Sequence, residues 1–476
     1  MDIDNSPFKK EIDKILKSKD KTVAFNWEVE FKPREPNDVV LSKDPYDVNY
    51  VEDYEKKKIY KPMKIINIDF SEDYENNASS DITLICTIPL GLWVKVLYPY
   101  RDHLECTLIQ RPIKTFTREF QKDEDPITNT YFCVPKIDEK IVGEAKYLDR
   151  FTRYELDNKG VVDVHFQLYD LSYEKLRTVT VGNIFRRATC EEVMKSILAK
   201  ESDKIKTKEG KAIDYIQVVE PDNEEKREHF VIPQGTLLTD IPHYLQKRCG
   251  GIYNAGIGRY IRDKTWYIYP LYDTGRFDDE KKTLTVFKIP SMELTNVERT
   301  FRTEGDKLYI LATDQSSFRD NGILDFLNKG NGVRWADARV FMTEKHFEAK
   351  DNKAIISRKQ VNHEFLYKDL KESNTVFRSE NQIHANPFYE YSKLAARRGL
   401  VYGFIWENSK PELLIPGMMV KILYLKKQKV CSIEGVLLKA QTSIQLRGQA
   451  VTAVSHTTKT GLFVFANPPN ENDENV

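Results

Sequence analysis

No stretch of this 476-residue chain approaches the roughly 20 consecutive apolar residues that span a bilayer, so nothing in it reads as a membrane-crossing helix. Cysteine is scarce and scattered. The six stand at positions 86, 106, 133, 190, 249 and 431 with no CxxC pair. That excludes a disulfide framework or a zinc knuckle and leaves reduced core thiols. An excess of either charge is also missing: Lys plus Arg and Asp plus Glu are both 73. A dedicated nucleic-acid binder carries a basic surplus, and this chain does not. The opening MDIDNSPFKKEIDKIL puts acidic residues first and has no apolar core, so it does not read as a secretory leader. Assembly in a reducing cytoplasm is the expectation.

Catalytic signatures are missing too. There is no GxSxG elbow, no HExxH and no GK[ST]. His103 and Cys106 are three apart in a strand-like stretch, which turns them to opposite faces and keeps both from one ion. His363 and His384 lie in polar segments without ligand spacing, and the acidic runs at 123–126 and 220–225 lack the alternating oxygens of a calcium loop. The stretch CGGIYNAGIGRY at 249–260 holds four glycines, Gly250, Gly251, Gly256 and Gly258. Phosphate loops run strand, glycine turn, helix, so that free N–H groups face the anion. Here a helix comes first and a strand last, which presents the negative end of the helix dipole. The stretch reads as a helix-to-strand connection. The chain is therefore expected to be no enzyme and to need no cofactor or metal, its work being done by shape and interfaces.

What the sequence has in quantity is β-forming residues, with 25 Tyr and 24 Phe. KIINIDF, DITLICTI, LWVKVLYPY, LECTLIQRP, NTYFCVP, KIVGEAKYLDRF and VVDVHFQLYDL follow one another as short strands. Their close spacing predicts an antiparallel barrel or sandwich rather than a βαβ array. Thr189 and Glu192 form a capping box that opens a helix over 189–200, and Thr239 or Asp240 is placed to cap a second at 239–249. Strands are expected again at AIDYIQVVE, RYIRDKTWYIYPLY, LTVFKIP and KLYILAT. NPFYEYSKLAARRGL reads as a helix and is followed by VYGFIWE, MMVKILYLKK, VCSIEGVLLKA, QAVTAVSHT and GLFVFAN as strands.

The predicted organisation is an N-terminal helix and extended arm (1–62), a first β-barrel domain (63–180), a helix and strand region (181–313), an irregular insertion (314–380), a C-terminal β-barrel region (381–467) and a disordered tail (468–476). The fold class is mainly β with α+β elements. In the first helix Phe8, Ile12, Ile15 and Leu16 share a face. That face can dock a partner or pack on its own chain. Leu414, Pro416 and Gly417 mark a tight turn: proline fixes φ near −65° and glycine accepts φ > 0, the pair of a type II turn.

The last 90 residues carry a resemblance. NPFYEYSKLAARRGLVYGFI leads to ELLIPGMMVKILYLKKQKVCSIEGVLLKA, and the chain closes on HTTKTGLFVFAN. This resembles the C-terminal half of the baseplate hub subunit of contractile-tailed phages of the T-even kind, whose helix, L-x-PG turn, strand pair and closing strand come in the same order. Leu414, Pro416 and Gly417 match the turn, Val420–Leu425 and Ser432–Leu438 the strand pair, and His456–Asn467 the closing strand. The likeness covers roughly residues 180–467; related tail and injection-machine hubs share the turn, and residues 1–62 and 314–380 depart from the pattern.

The resemblance implies two tail-tube-like antiparallel β-barrel or sandwich domains per subunit and a homotrimer. It implies a hexameric tail tube protein above, a trimeric central spike protein below, baseplate wedge proteins beside it, and DNA only in transit through a channel. The place is the virion tail baseplate, assembled in the host cytoplasm. Two other readings stay open on sequence alone. One is a phage-associated protein that binds or degrades cell-wall carbohydrate, with 314–380 as its site loop. The other is an ordinary cytosolic binding module.

Overall fold

The computed structural model describes residues 7–17, 24–34, 59–113, 126–136, 160–207, 210–290, 299–315, 399–426, 429–446 and 456–467, with four short strands and three single residues between 316 and 398. Helix α1 is Pro7–Leu16, and the first strands are β1 (Ala24–Pro33), β2 (Lys64–Asp73), β3 (Asp81–Pro89), β4 (Leu104–Ile113), β5 (Ile127–Pro135) and β6 (Val161–Asp170). The middle of the chain gives β7 (Thr180–Ala188), α2 (Cys190–Asp203), β8 (Tyr215–Val218), β9 (Arg227–Leu237), α3 (Ile241–Arg248), β10 (Ile257–Arg262) and β11 (Thr265–Pro270). There follow β12 (Thr283–Lys288), β13 (Phe301–Glu304), β14 (Lys307–Gln315), β15 (Leu400–Glu407), β16 (Met419–Lys426), β17 (Lys429–Leu446) and β18 (His456–Ala466).

The strands close into two barrels that share a wall. The larger runs β17-β2-β3-β6-β5-β4-β1-β18 and returns to β17, every pairing antiparallel; among the described residues its β1–β18 seam is the pair Phe25↔His456. The smaller runs β12-β16-β17-β18-β15-β14 and returns to β12, which lies parallel to both of its neighbours. Both circuits contain the β17–β18 hairpin. The 18-residue β17 pairs with β16 through Lys429–Val436 and with β2 through Lys439–Gln445. Between them its register against β18 shifts by one residue, at Leu438. A bulge of this kind bends a strand and re-aims it, which is how one strand serves two barrels. The corner is pinned by Leu437 N–H donating to Met418 O (2.9 Å) and Tyr74 N–H donating to Leu438 O (2.9 Å).

Each barrel is filled. DITLICTIP in β3 shows why it is a strand: Ile82, Leu84, Cys86 and Ile88 alternate inward, all within 1% exposure. They join Phe31, Leu104, Cys106, Cys133 and Phe166 in the larger core, while Leu284, Ile310, Phe404, Trp406, Val420 and Val464 fill the smaller one. Burial of a side chain of this size contributes roughly 1.5–3 kcal/mol. A third core lies under α2, α3, the β7–β9 ribbon and the β8-β11-β10 sheet. Helix α2 opens with the expected capping box: Glu192 N–H donates to Thr189 Oγ1 (3.1 Å) and Thr189 N–H donates to Glu192 Oε2 (2.9 Å).

Four readings of the sequence change. Residues 24–33, assigned to an arm, are β1 inside the larger barrel. LWVKVLYPY is not a strand but a run of short helical turns from Leu90 to Tyr100, whose Trp93 and Leu97 cover the core. RYIRDKTWYIYPLY is a hairpin, turning at Asp263 and Lys264 with φ of 48° and 58°. TTKTGLFVFA belongs to one uninterrupted strand, β18. The barrels are also not contiguous in sequence, since the larger uses β1, β17 and β18 and the smaller uses β12 and β14. Of the helix expected at 386–400, Ser392, Ala395 and Ala396 are helical and Leu400 opens β15; of the strand expected at 449–457, His456 and Thr457 belong to β18. The rest of both apart from Gly399, the strand at 140–151, most of 314–380 and the tail 468–476 lie outside the described residues.

Candidate functional site at the barrel junction

The tip of the β10–β11 hairpin stops one end of the larger barrel. Two residues with positive φ form its two-residue turn, the type I′ geometry that fits the twist of a hairpin. The turn drives Arg262 into the gap between the barrels. There its guanidinium donates to Leu414 O (2.7 Å) and Glu412 O (3.5 Å) and stands 3.4 Å from Glu72 Oε1. Glu72 also accepts from Tyr74 Oη (2.9 Å) and Ser80 Oγ (3.5 Å), and Tyr260 Oη donates to Ser80 Oγ (3.1 Å). Burial alone would lower Arg262, but the facing carboxylates of Glu72 and Asp263 outweigh it and hold the guanidinium charged. Burial pushes Tyr74 and Tyr260 well above the usual phenol range. One arginine thus ties together the end of β2, the hairpin tip and the segment between β15 and β16.

That segment contains the predicted turn. Gly417 has φ +68° and Met418 N–H donates to Ile415 O (3.2 Å), so Pro416 and Gly417 occupy the central positions of a type II turn. Leu414 is fully buried and its carbonyl receives Arg262. A Cβ on Gly417 would lie 2.3 Å from Cδ2 of Tyr269, and one on Gly258 would lie 2.1 Å from Cε2 of the same ring. The Tyr269 hydroxyl donates to Tyr74 O (3.0 Å). Two glycines from distant parts of the chain therefore make room for one aromatic ring at the junction.

The other glycines of 249–260 serve a connection. Gly250 (φ +110°) and Gly251 (φ +85°) follow α3, and Gly251 N–H donates to Leu245 O (3.1 Å). Gln246 Oε1 accepts from the N–H groups of Ile252 (2.8 Å) and Tyr253 (3.1 Å), and Asn223 Nδ2 donates to Gly251 O (2.8 Å). Every one of these amides is occupied by the chain itself. Neither Thr239 nor Asp240 caps α3 with its side chain, because Asp240 Oδ1 accepts from Arg259 Nη2 instead (2.9 Å).

His243 sits behind that pair. Arg259 Nη1 lies 2.7 Å from His243 Nδ1, and His243 Nε2 lies 3.2 Å from Ile257 O. A guanidinium only donates, so Nδ1 accepts and Nε2 carries the proton. Burial, reinforced by the Arg259 charge, pushes the imidazole down to about 4. As pH falls from 7, the unfolded chain therefore takes up this proton near 6.5 while the folded chain refuses it until about 4. The stability contributed by neutral His243 is complete above about pH 7 and is lost on the way to pH 4. Between pH 7 and 4.5 the parent should lose about 2 kcal/mol more than His243→Gln in urea unfolding; equal losses would refute the neutral tautomer.

The remaining sequence candidates fall elsewhere. Phe8 and Ile15 of α1 are buried against Phe287, Ile289 and Leu311 on the outside of the smaller barrel, with Ile12 half-buried beside them and Leu16 38% exposed. This is the own-chain packing of the helix. His103 begins no ligand set, Cys106 lies in the larger core, and His363 and His384 are outside the described residues. Among the described residues no group of three His, Cys, Asp or Glu side chains is arranged to hold a metal ion. Five of the six cysteines are buried, and burial pushes the Cys249 thiol up to about 11. Sequence reasoning missed Arg262, Glu72, Glu412 and Tyr269. Arg262-Asp263-Lys264 read as the polar middle of one strand, and only the pairing of β10 with β11 places it at a tip.

No protein-family profile and no curated protein matches the chain. Among solved structures it is similar to a tail protein from Neisseria meningitidis MC58, at a TM-score of 0.45 and 9% identity over 92% of this chain and 96% of that one. It is also similar to the 43 kDa tail protein of prophage MuSo2 from Shewanella oneidensis, at a TM-score of 0.44 and 10% identity over 92% of this chain and 96% of that one.

Proposed function

We propose that this chain is a structural subunit of the hub at the base of a contractile phage tail. Three copies form a ring that joins a hexameric tail tube above to a trimeric central spike below and leaves a channel for DNA. One observation carries the reading: each chain holds two closed barrels welded through the single β17–β18 hairpin, so a ring of three chains presents six barrels to a sixfold partner. The resemblance of residues 180–467 to hub subunits supports it independently. Wedge proteins are the expected lateral neighbours, assembly takes place in the host cytoplasm, and the role is structural rather than catalytic.

A surface for contact between copies is available on the β7–β9 ribbon. Ile184 and Val231 face each other across it, 62% and 55% exposed. Among the described residues no further strand pairs with this ribbon, and a two-stranded ribbon gains from a neighbour that covers it. The test is the native mass of the full chain by light scattering across a concentration series. A species near three times 55.6 kDa is expected. A monomer that persists both alone and with the tube and spike proteins of the same phage would overturn the reading.

A further inference from the structure

Beside Arg262 the stopped end of the larger barrel keeps a cavity of about 80 Å³, room for several water molecules. Barrel mouths are common places for small-ligand sites. Two kinds of wall meet in this one. Trp27, Phe70, Leu108 and Ile444 give apolar surface from β1, β2, β4 and β17, and Glu72, Asp170, Asp263 and Glu412 give carboxylates. Against these four acids the cavity wall holds one cation, Arg262, already engaged by Glu72, by Asp263 (3.5 Å) and by Leu414 O. Asp170 Oδ1 accepts from the N–H groups of Ser172 and Tyr173. Glu412 is half-satisfied. Its carboxylate is hydrogen-bonded by Gln110, but its Oε2 is buried without a hydrogen-bond partner, and so is Oγ of Ser79 in the same wall. A buried acceptor left unmade is costly, and a buried carboxylate more so. Burial accordingly pushes the carboxyls of Glu412 and Asp170 up.

We infer that this cavity is a binding site for a small primary alkylammonium ion, its –NH₃⁺ group donating to Glu412 and its alkyl chain lying on the Trp27, Phe70, Leu108 and Ile444 wall. The chemistry selects this class. The acids outnumber the cation, so the ligand is positive. An ammonium group only donates, which suits a buried acceptor that lacks a donor. The described acids do not gather into a metal-holding group of three, which argues against a bare divalent ion. The apolar half of the wall calls for a hydrocarbon body, which a hydrated ion lacks. Asp263, with its side chain 80% exposed, stands at the rim and faces the cation on entry.

The probe is n-butylammonium, titrated calorimetrically into the full chain at neutral pH, with n-butanol, tetramethylammonium and calcium as separate comparisons. Saturable binding of n-butylammonium is expected, with neither n-butanol nor tetramethylammonium matching it. Glu412→Gln should weaken it about tenfold or more through loss of a charge-assisted hydrogen bond. This variant is nearly isosteric and removes a buried charge, so its thermal midpoint should not fall. Saturation-transfer NMR on the unmodified chain needs no variant and should pass signal from aromatic protons to the butyl chain. The inference is overturned by the absence of binding and of saturation transfer, or by equal affinity in Glu412→Gln. Binding of n-butanol as tight as that of the amine would reduce the site to an apolar cavity, and calcium binding that displaces the amine and is lost with Glu412 would make it a metal site.

Discussion

Arg262→Met is expected to lower the unfolding free energy by about 3–5 kcal/mol, the range for removing one partner of a buried ion pair. Methionine fills much of the space but supplies no donor. Leu414 O loses its 2.7 Å hydrogen bond, and the Glu72 carboxylate, 6% exposed, keeps only the Tyr74 and Ser80 hydroxyls. The loss falls where β2, the hairpin tip and the β15–β16 connection meet, so it should also loosen the two barrels from each other. Arg262→Met combined with Glu72→Gln removes the stranded charge and should recover about 1–3 kcal/mol relative to the sum of the single changes. Urea unfolding of the four proteins measures this cycle. Strict additivity would mean that the two side chains do not interact. Arg262→Lys should rescue only part, because an ammonium cannot reproduce the fork that reaches Leu414 O and Glu72 together.

Gly417→Ala is expected to cost about 2–5 kcal/mol, from two causes that can be separated. The backbone cause is φ +68°, which an L side chain adopts at a cost of about 1–2 kcal/mol. The packing cause is the new methyl, 2.3 Å from Cδ2 of Tyr269. That ring cannot simply withdraw, since Gly258 abuts the same Cδ2–Cε2 edge and the hydroxyl is tied to Tyr74 O. Overpacking of this kind costs about 1–3 kcal/mol. Placing Tyr269→Leu beneath Gly417→Ala should relieve the second cause and leave the first, so the double variant should be less destabilised than the sum of its parts. An additive result, or a Gly417→Ala protein within about 1 kcal/mol of the parent, would contradict the close approach.

These two sites show where sequence reasoning succeeds and where it stops. The Pro416–Gly417 turn was legible because proline and glycine carry their backbone preferences locally. The second reason for Gly417, the Tyr269 ring, lies 148 positions away and leaves no local trace. Strand β1 was legible in principle: Trp27, Val29 and Phe31 alternate with Glu28, Glu30 and Lys32, and their burial follows. The charged surroundings of 18–62 hid that period of two. In LWVKVLYPY the β-forming residues gave the wrong answer, because covering the core of the larger barrel outweighed local preference. In β18 the polar TTKT imitates a turn, yet Thr460 is fully buried and bonds both Ser409 Oγ (2.7 Å) and Thr442 Oγ1 (2.9 Å). The shared wall itself could not be read, since a strand that serves two barrels looks like any long strand until its partners are known.

The most direct test of the account is electron-microscopic imaging of the assembled particle, down the axis of the light-scattering peak. A threefold ring with two barrel-sized densities per chain, six around a central opening, is the expected image. A compact monomer or a closed dimer, obtained even in the presence of tube and spike proteins, would contradict it.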